Sequence, residues 1–113
     1  MGKSVQQLDV NDAEGLWLVR SASQTLYFLD LDRQLLLRQP GPNSPRGPFD
    51  GVWVHLVRVS SALGVGAVVV GQRHLYDLDP DPDGPGDYRW WLQRTATSIE
   101  SVAPEDRPAG EPV

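Results

Sequence analysis

Short runs of apolar and β-branched residues alternate along the chain with clusters of Gly, Pro, Asp and Ser. Period-two runs recur, whereas no long stretch keeps the 3.6-residue apolar period of an amphipathic helix, and this favours strands. The pattern therefore predicts an all-β fold, a small antiparallel sandwich or partly open barrel of about 7-8 short strands. The predicted strands are Leu16 to Ser21, Thr25 to Leu31, Gln34 to Gln39, Val52 to Ser60, Ala67 to Gln72, His74 to Leu78, Tyr88 to Arg94 and Thr95 to Val102.

The two ends of the chain carry weaker patterns. Residues 1–14 are poorly defined, although Ser4 and Gln7 have the spacing of a capping box and favour one helical turn there. Residues 104–113, PEDRPAGEPV, combine prolines with charges and predict a disordered tail. Between them, residues 1–103 are expected to form a single β domain, with the proline-rich run 40–51 as a loop joining two halves.

Several predicted strands are apolar on both faces. Leu16 to Val19 and Leu35 to Leu37 are consecutive apolar residues, and successive side chains of a strand point to opposite sides of its sheet. Because no amphipathic helix is predicted, the second face must be covered by another sheet or by a partner chain. We therefore expect binding to a protein partner or self-association, with a homodimer as one form.

Composition and charge exclude several classes of function. The chain has no cysteine, which rules out disulfides, thiolate metal sites and thiol nucleophiles. Its formal net charge of -5 disfavours nonspecific binding to duplex DNA. The longest apolar run is interrupted by Gly66 and is too short to cross a bilayer, so we expect a cytoplasmic protein without a membrane partner.

The most specific short motif is acidic. The run from Asp79 to Gly84 matches the start of a calcium loop, in which alternate carboxylates converge on one cation. However, Trp90 stands where the bidentate Glu of such a loop belongs, and no flanking helices are predicted. A solvated acidic turn without a cofactor is therefore the favoured interpretation, and the calcium alternative names Asp79, Asp81, Asp83 and Asp87.

Arginines and tryptophans supply the candidate binding residues. If the strands alternate in direction, four arginines gather at one end of the sheet and Arg58 lies at the other. Trp90 and Trp91 are consecutive in one strand, so one of them is a candidate for the surface. Strand ends also favour arginine, and small β cores also use tryptophan for packing, in proteins where these residues have no binding role. The candidate binding set is Arg20, Arg38, Arg73, Arg94, Trp90 and Trp91.

The two histidines carry no recognisable catalytic pattern. His55 and His74 lie in different predicted strands, and nothing in the sequence places a nucleophile or a carboxylate beside either. His55 alternates in phase with Trp53, Val57 and Val59, which predicts a partly buried structural histidine.

One resemblance covers most of residues 16–100. The run Trp17 to Leu31, followed by Arg38 to Gly41 and Arg94 to Glu100, resembles small uncharacterised all-β proteins of GC-rich bacteria and their phages. These proteins share a hairpin of the form W-x-V-x-x-x-S-x-x-x-Y-x-L-D. The resemblance implies no activity, cofactor or catalytic residue.

Three functions remain open at this point. The leading hypothesis is a non-catalytic binding or adaptor module that acts through protein contacts of a sheet face or edge. The first alternative is a nucleic-acid or nucleotide-binding protein that uses the arginine-rich end with an exposed tryptophan. The second is a small enzyme centred on His55 or His74, which we do not favour because no partner group can be named.

Overall fold

A computed structural model describes residues 2–42, 46–47, 49–80 and 89–110 of the chain. Within these ranges the protein is all-β, and each of the eight predicted strands overlaps an observed one. Three additional strands, β1, β2 and β7, are two or three residues long. The strands are β1 Ser4–Val5, β2 Gln7–Asp9, β3 Leu16–Ser21, β4 Leu26–Asp30, β5 Leu35–Gln39, β6 Val54–Ser61, β7 Gly64–Val65, β8 Ala67–Val69, β9 Leu75–Asp79, β10 Arg89–Leu92 and β11 Ala96–Val102.

Nine of the described strands form one antiparallel sheet. Its order is β1-β11-β3-β4-β5-β6-β9-β10, with β7 beside β6, and it is not closed into a barrel. Strands β3, β4 and β5 form the meander that their short polar connections predict. Strands β2 and β8 pair with each other as a separate two-stranded sheet.

The N-terminal segment is extended, so the prediction of a helical turn there is wrong. Strand β1 pairs with β11, and β2 pairs with β8. These ladders satisfy the backbone groups of the segment, and Leu8 is buried in the core beside Val10. Pairing and burial therefore override the local capping signal of Ser4 and Gln7, and residues 4–10 belong to the domain.

One face of the long sheet encloses the main core, which we call the inner core. Side chains from the meander and from β6 and β9 share this cluster, and the ring of Tyr27 stacks on that of Tyr76 at 5.2 Å between centroids. The two halves of the sheet therefore face each other, as the sandwich prediction requires. The buried members are Leu8, Val10, Val19, Tyr27, Leu29, Leu31, Leu36, Val54, Leu56, Val59, Val68, Tyr76, Leu78, Ala96 and Ile99.

The opposite face of the meander carries a smaller cluster, which we call the outer cluster. Leu18, Phe28 and Leu37 are buried there, and they lie side by side because Phe28 is the register partner of both leucines. Trp53 and Val102 pack against them.

Residues 104–110, the C-terminal segment, pass over the indole of Trp53. The Arg107 guanidinium lies 4.1 Å from the indole centroid, and Trp53 Nε1 donates to the carbonyl of Pro108 at 3.0 Å. Arg107 Nε also pairs with Asp30 Oδ2 at 3.2 Å. A β-carbon at Gly110 would come within 2.8 Å of Trp53 Cδ1, so the backbone lies directly against the ring. The predicted disordered tail is therefore docked as far as Gly110, and residues 111–113 lie outside the described residues.

A β-bulge in β6 changes the face on which its side chains lie. The register with β9 shifts between Leu56 and Arg58, and the extra residue, Val57, is 51% exposed. Val59 beyond the bulge is fully buried, whereas His55 before it is only partly buried. The prediction that His55 is partly buried is correct, but its predicted phase with Val59 is wrong because of the bulge.

Candidate functional site

Strand β10 is an apolar edge of the long sheet. It stands at the end of the long sheet, with β9 as its hydrogen-bonded neighbour. Trp90 is 68% exposed and Leu92 is 60% exposed, whereas Trp91 between them packs against the inner core. The alternation of a strand thus places Trp90 and Leu92 on the solvent face. This identifies Trp90 as the surface tryptophan of the pair.

Two of the four candidate arginines lie beside this strand. Arg73 and Arg94 line one concavity together with Leu92 and Thr95. Both arginines are exposed, and neither forms an ion pair with any residue that the structure describes. Their charge is therefore available to a partner that approaches the β10 edge.

The other two candidate arginines do not line this concavity and are engaged in other contacts. Arg20 pairs with Glu100 at 3.0 Å, and its register partner Leu26 packs on the outer cluster. Arg38 is the register partner of Tyr27, whose ring lies in the inner core. The side chains of Arg20 and Arg38 thus lie on opposite faces of the meander. The direction of a strand determines at which end of the sheet a residue lies, but it does not determine the face on which the side chain lies. Arg58, which is predicted to lie at the other end of the sheet, pairs with Asp77 at 3.0 Å.

Arg38 belongs to a buried polar cluster that the sequence did not reveal. Its Nη1 donates to Asp50 Oδ2 at 2.6 Å, and its Nε donates to the hydroxyl of Tyr27 at 3.4 Å. The backbone N–H of Gly47 donates to the same Asp50 oxygen at 2.7 Å. Both donors converge on Oδ2, while Asp50 Oδ1 is buried without a hydrogen-bond partner.

Burial and charge shift the pKa values in this cluster. Burial alone would lower the pKa of Arg38, but its hydrogen bonds to Asp50 and Tyr27 outweigh that effect and raise it. Burial raises the pKa of Tyr27 and raises that of its stacking partner Tyr76 still further. The cluster therefore contains a guanidinium that stays charged and two phenols that stay neutral across the physiological range.

A concavity of about 340 Å³ opens between this cluster and β10. Arg38 and Asp50 line it from the polar side, and aromatic rings line much of the remainder. The guanidinium of Arg89 lies 5.6 Å from the ring centroid of Phe49. The full lining is Arg38, Gly47, Phe49, Asp50, Leu78, Arg89, Trp90 and Trp91.

Phe49, next to Asp50, holds an unusual backbone conformation. Its φ of 66° lies in the left-handed region, which bulky residues rarely adopt. Such a conformation costs on the order of 1–3 kcal/mol and persists only where the surroundings impose it. Here the Gly51 N–H donates to the carbonyl of Arg38, and the Val52 N–H donates to that of Phe49, which fixes the loop on β5.

The two histidines have structural surroundings. His74 is fully buried, and its Nε2 accepts a hydrogen bond from the Val69 N–H at 3.0 Å. Its Nδ1 therefore carries the proton and donates to Gln93 Oε1 at 2.9 Å. The Tyr76 hydroxyl donates to the same oxygen at 3.1 Å, and Gln93 Nε2 is buried without a partner. His55 faces Leu35 and Asp79 in register on its two neighbouring strands.

The calcium hypothesis falls largely outside the described residues. Asp79 ends β9, whereas Asp81, Asp83 and Asp87 lie in the range 81–88, which the structure does not describe. Within the described ranges, no three metal-binding side chains lie close enough together to hold an ion.

Comparison with known proteins adds no assignment. No protein-family model, curated protein or solved structure matches this chain. In the part of the chain that the structure describes, no helix is both long enough and apolar enough to cross a bilayer.

Proposed function

We propose that this protein is a non-catalytic binding module whose β10 edge takes up an extended segment of another protein. The observation that carries the proposal is the exposure of Trp90 and Leu92 on the terminal strand of a nine-stranded sheet. An edge strand offers a row of backbone donors and acceptors to an incoming strand. Apolar side chains on that strand then add contacts that select the sequence of the segment.

Charge defines the partner further. Arg73 and Arg94 flank the β10 edge, although the chain as a whole has a formal net charge of -5. A second copy of the chain would bring arginines against arginines at this edge and would repel through its net charge. An extended segment that alternates apolar with acidic residues satisfies both the apolar strand face and the neighbouring guanidinium groups.

A peptide titration followed by NMR tests the proposal. The probe is a blocked peptide of alternating Val and Glu, and its matched counterpart carries Lys in place of Glu. We expect amide shifts centred on residues 89–92 with the acidic peptide only, and weaker binding as salt is raised. Leu92→Ser should reduce the affinity about tenfold, because the substitution removes one apolar contact of the strand face.

Leu63→Ser is the matched control, since Leu63 is 68% exposed but lies beside β7, away from this edge. Binding that responds equally to both substitutions would contradict the proposal. Shifts of residues 89–92 that appear on concentrating the protein without peptide would show that a second copy occupies the edge instead.

A second candidate function uses the same surface for single-stranded nucleic acid. It is favoured by the position of exposed Trp90 on a strand bordered by Arg73 and Arg94, since an aromatic ring stacks on bases while cations contact phosphates. A short oligothymidylate in the same titration distinguishes the two. If the oligonucleotide shifts residues 89–92 with a steep salt dependence and the acidic peptide does not, the second candidate replaces the first.

A further inference from the structure

We propose that the concavity between Arg73 and Arg94 binds a phosphate monoester, which a phosphorylated side chain of the partner segment carries. The identity of the carrier rests on the function proposed above, whereas the affinity for phosphate rests on the two guanidinium groups alone. The β10 edge would then select a segment by its phosphorylation as well as by its apolar residues.

The backbone sets the two arginines opposite each other, just beyond the ends of β9 and β10. Two backbone hydrogen bonds enclose them, from the Gln93 N–H to the His74 carbonyl at 2.8 Å and from the Ala96 N–H to the Gln72 carbonyl at 2.9 Å. Between these bonds, Arg73 on one side faces Arg94 and Thr95 on the other, which is the two-against-one arrangement of a β-bulge. Both arginines line the same concavity, and both are exposed.

The facing charges of this pair are not compensated within the part of the chain that the structure describes. Like charges directly opposite each other destabilise a pair of strands. Neither arginine forms an ion pair with a described residue. Acidic residues of the neighbouring strands have other partners, since Asp77 of β9 pairs with Arg58 and Glu100 of β11 pairs with Arg20. An anion bound between the two guanidinium groups therefore relieves a repulsion as well as adding an attraction.

The number of positive charges favours a phosphate monoester over other anions. A carboxylate carries one negative charge and would leave one of the two guanidinium groups uncompensated. A phosphate monoester carries a charge of about −1.5 to −2 at neutral pH and presents three acceptor oxygens. Each guanidinium can therefore donate two N–H groups to it. The phosphodiesters of a nucleic-acid backbone carry a single charge each, so the same balance disfavours them.

Leu92 connects the concavity to the β10 edge. It lines the concavity together with the two arginines, and it is 60% exposed at the end of the strand. A segment that pairs with β10 therefore passes beside the concavity. A phosphate on that segment meets two guanidinium groups there, in a chain whose formal net charge of -5 repels anions elsewhere.

Phenyl phosphate, a monoester without a peptide, tests the concavity by itself in an NMR titration of the arginine side-chain N–H groups. We expect the Nε–H signals of Arg73 and Arg94 to shift at about tenfold lower concentration of phenyl phosphate than of benzoate, which carries a single charge. The signal of Arg33 should stay in place, because its exposed guanidinium already pairs with Asp30. Equal affinity for the two anions, or no shift at millimolar phenyl phosphate, would overturn the proposal.

Peptides test the carrier by calorimetry with the full chain. The probes are the alternating Val and Glu peptide and a set in which one Glu at a time is replaced by phosphoserine. We expect one phosphorylated peptide to bind about tenfold more tightly than the parent. Arg73→Gln or Arg94→Gln should remove this gain, and both variants should fold because the side chains are exposed. Arg33→Gln, which removes the same charge elsewhere, should preserve it.

The outcomes separate this proposal from the function on which it rests. If the parent peptide binds and no phosphoserine improves its affinity, the phosphate proposal is wrong and the β10 edge stands. If phenyl phosphate binds but none of the peptides does, the proposed function has failed and the segment is not the carrier. Tighter binding of an oligothymidylate without a terminal phosphate than of any phosphorylated peptide would also overturn the proposal, in favour of nucleic acid.

Discussion

Strands β3 to β5 bury apolar side chains on both faces, and the two faces are closed by different parts of the chain. The inner core is covered by β6 and β9 of the same sheet and by the β2–β8 pair. The outer cluster is covered by Trp53, Val102 and the C-terminal segment, which crosses the indole of Trp53. Leu36 and Leu37 illustrate the contrast, since they are adjacent in β5 and both are almost completely buried.

The two closures differ in what must move to open them. Uncovering the inner core requires the ladders between β5, β6 and β9 to break, which amounts to unfolding the domain. Uncovering the outer cluster requires the segment to release the Arg107 ion pair and the Trp53 hydrogen bond. We therefore expect the outer face to open locally at a free energy well below that of global unfolding.

The largest effect should come from truncating Leu36. Leu36→Ala leaves a cavity among strands that cannot collapse, and we expect a loss of about 4 kcal/mol in the free energy of unfolding. Leu37→Ala changes the same side chain in the same strand on the other face, where the segment can settle into the space, and should cost about 2 kcal/mol. Chemical denaturation measures both values. Equal losses would show that the two faces are closed with equal rigidity.

Ending the chain at Ala103 should have the next largest effect. The truncation removes the cover over Trp53 and exposes part of the outer cluster, so we expect a loss of about 2 kcal/mol, the scale of exposing one large apolar side chain. The exposed face should then promote association, which light scattering detects. A truncated chain that scatters like the full chain and unfolds at the same denaturant concentration would refute the role of the segment.

The sequence predicted that both faces are apolar but not what covers the outer one. The period-two rule places successive side chains of a strand on opposite faces, so both faces are apolar at Leu16 to Val19 and at Leu35 to Leu37. Both faces are buried as expected. The predicted cover was a second sheet or a partner chain. The C-terminal segment has no large aliphatic or aromatic side chain, and it covers the face through a guanidinium, a carbonyl and a glycine backbone. The pattern of hydrophobic residues does not predict such contacts. Because the segment covers the outer face, that face no longer gives a reason to expect self-association.

The candidate sites were predictable to different degrees. Alternation along β10 predicted that one of Trp90 and Trp91 is exposed, but which one depends on the side of the sheet that the inner core occupies. Asp50 and Phe49 carried no signal, because a single acidic residue beside a proline-rich loop is typical of any surface turn. Their role depends on Arg38 turning inward, which becomes visible only with the face assignments of β5.

A smaller effect of pH should report on the inner core. Burial lowers the pKa of His74 below its ordinary value of 6.5, although the hydrogen bond to Gln93 opposes the shift. As pH falls below 6.5, the unfolded chain therefore binds a proton before the native protein does, and the free energy of unfolding decreases. Above that pH this contribution is constant. Protonated His74 would also turn an N–H toward the N–H of Val69.

Denaturation midpoints between pH 7 and pH 5 measure this effect. His74→Gln should flatten the decrease, whereas His55→Gln should preserve it, because it leaves His74 and its hydrogen bonds to Val69 and Gln93 in place. Truncation at Ala103 should also preserve the decrease, since His74 and the C-terminal segment belong to different faces of the fold. The prediction would be contradicted if the decrease disappeared with the truncation and persisted in His74→Gln. The titrating group would then lie at the outer face, and it would not be His74.

The smallest expected effect separates the two arginines that share Asp30. Arg107 Nε and Arg33 Nη1 both lie within 3.2 Å of Asp30 Oδ2, but Arg107 also covers Trp53, whereas the Arg33 side chain is 68% exposed. Arg107→Met should cost about 1 kcal/mol, because it removes a partly buried ion pair and a cation–π contact. Arg33→Met removes an exposed guanidinium while Asp30 keeps Arg107 as its partner, so the loss should stay within about 0.5 kcal/mol. Indole hydrogen exchange at Trp53 provides the local readout, since Arg107→Met should accelerate it through loss of the Pro108 hydrogen bond, and Arg33→Met should not. Equal acceleration by both substitutions would mean that Asp30, and not the stacked guanidinium, holds the C-terminal segment on the outer face.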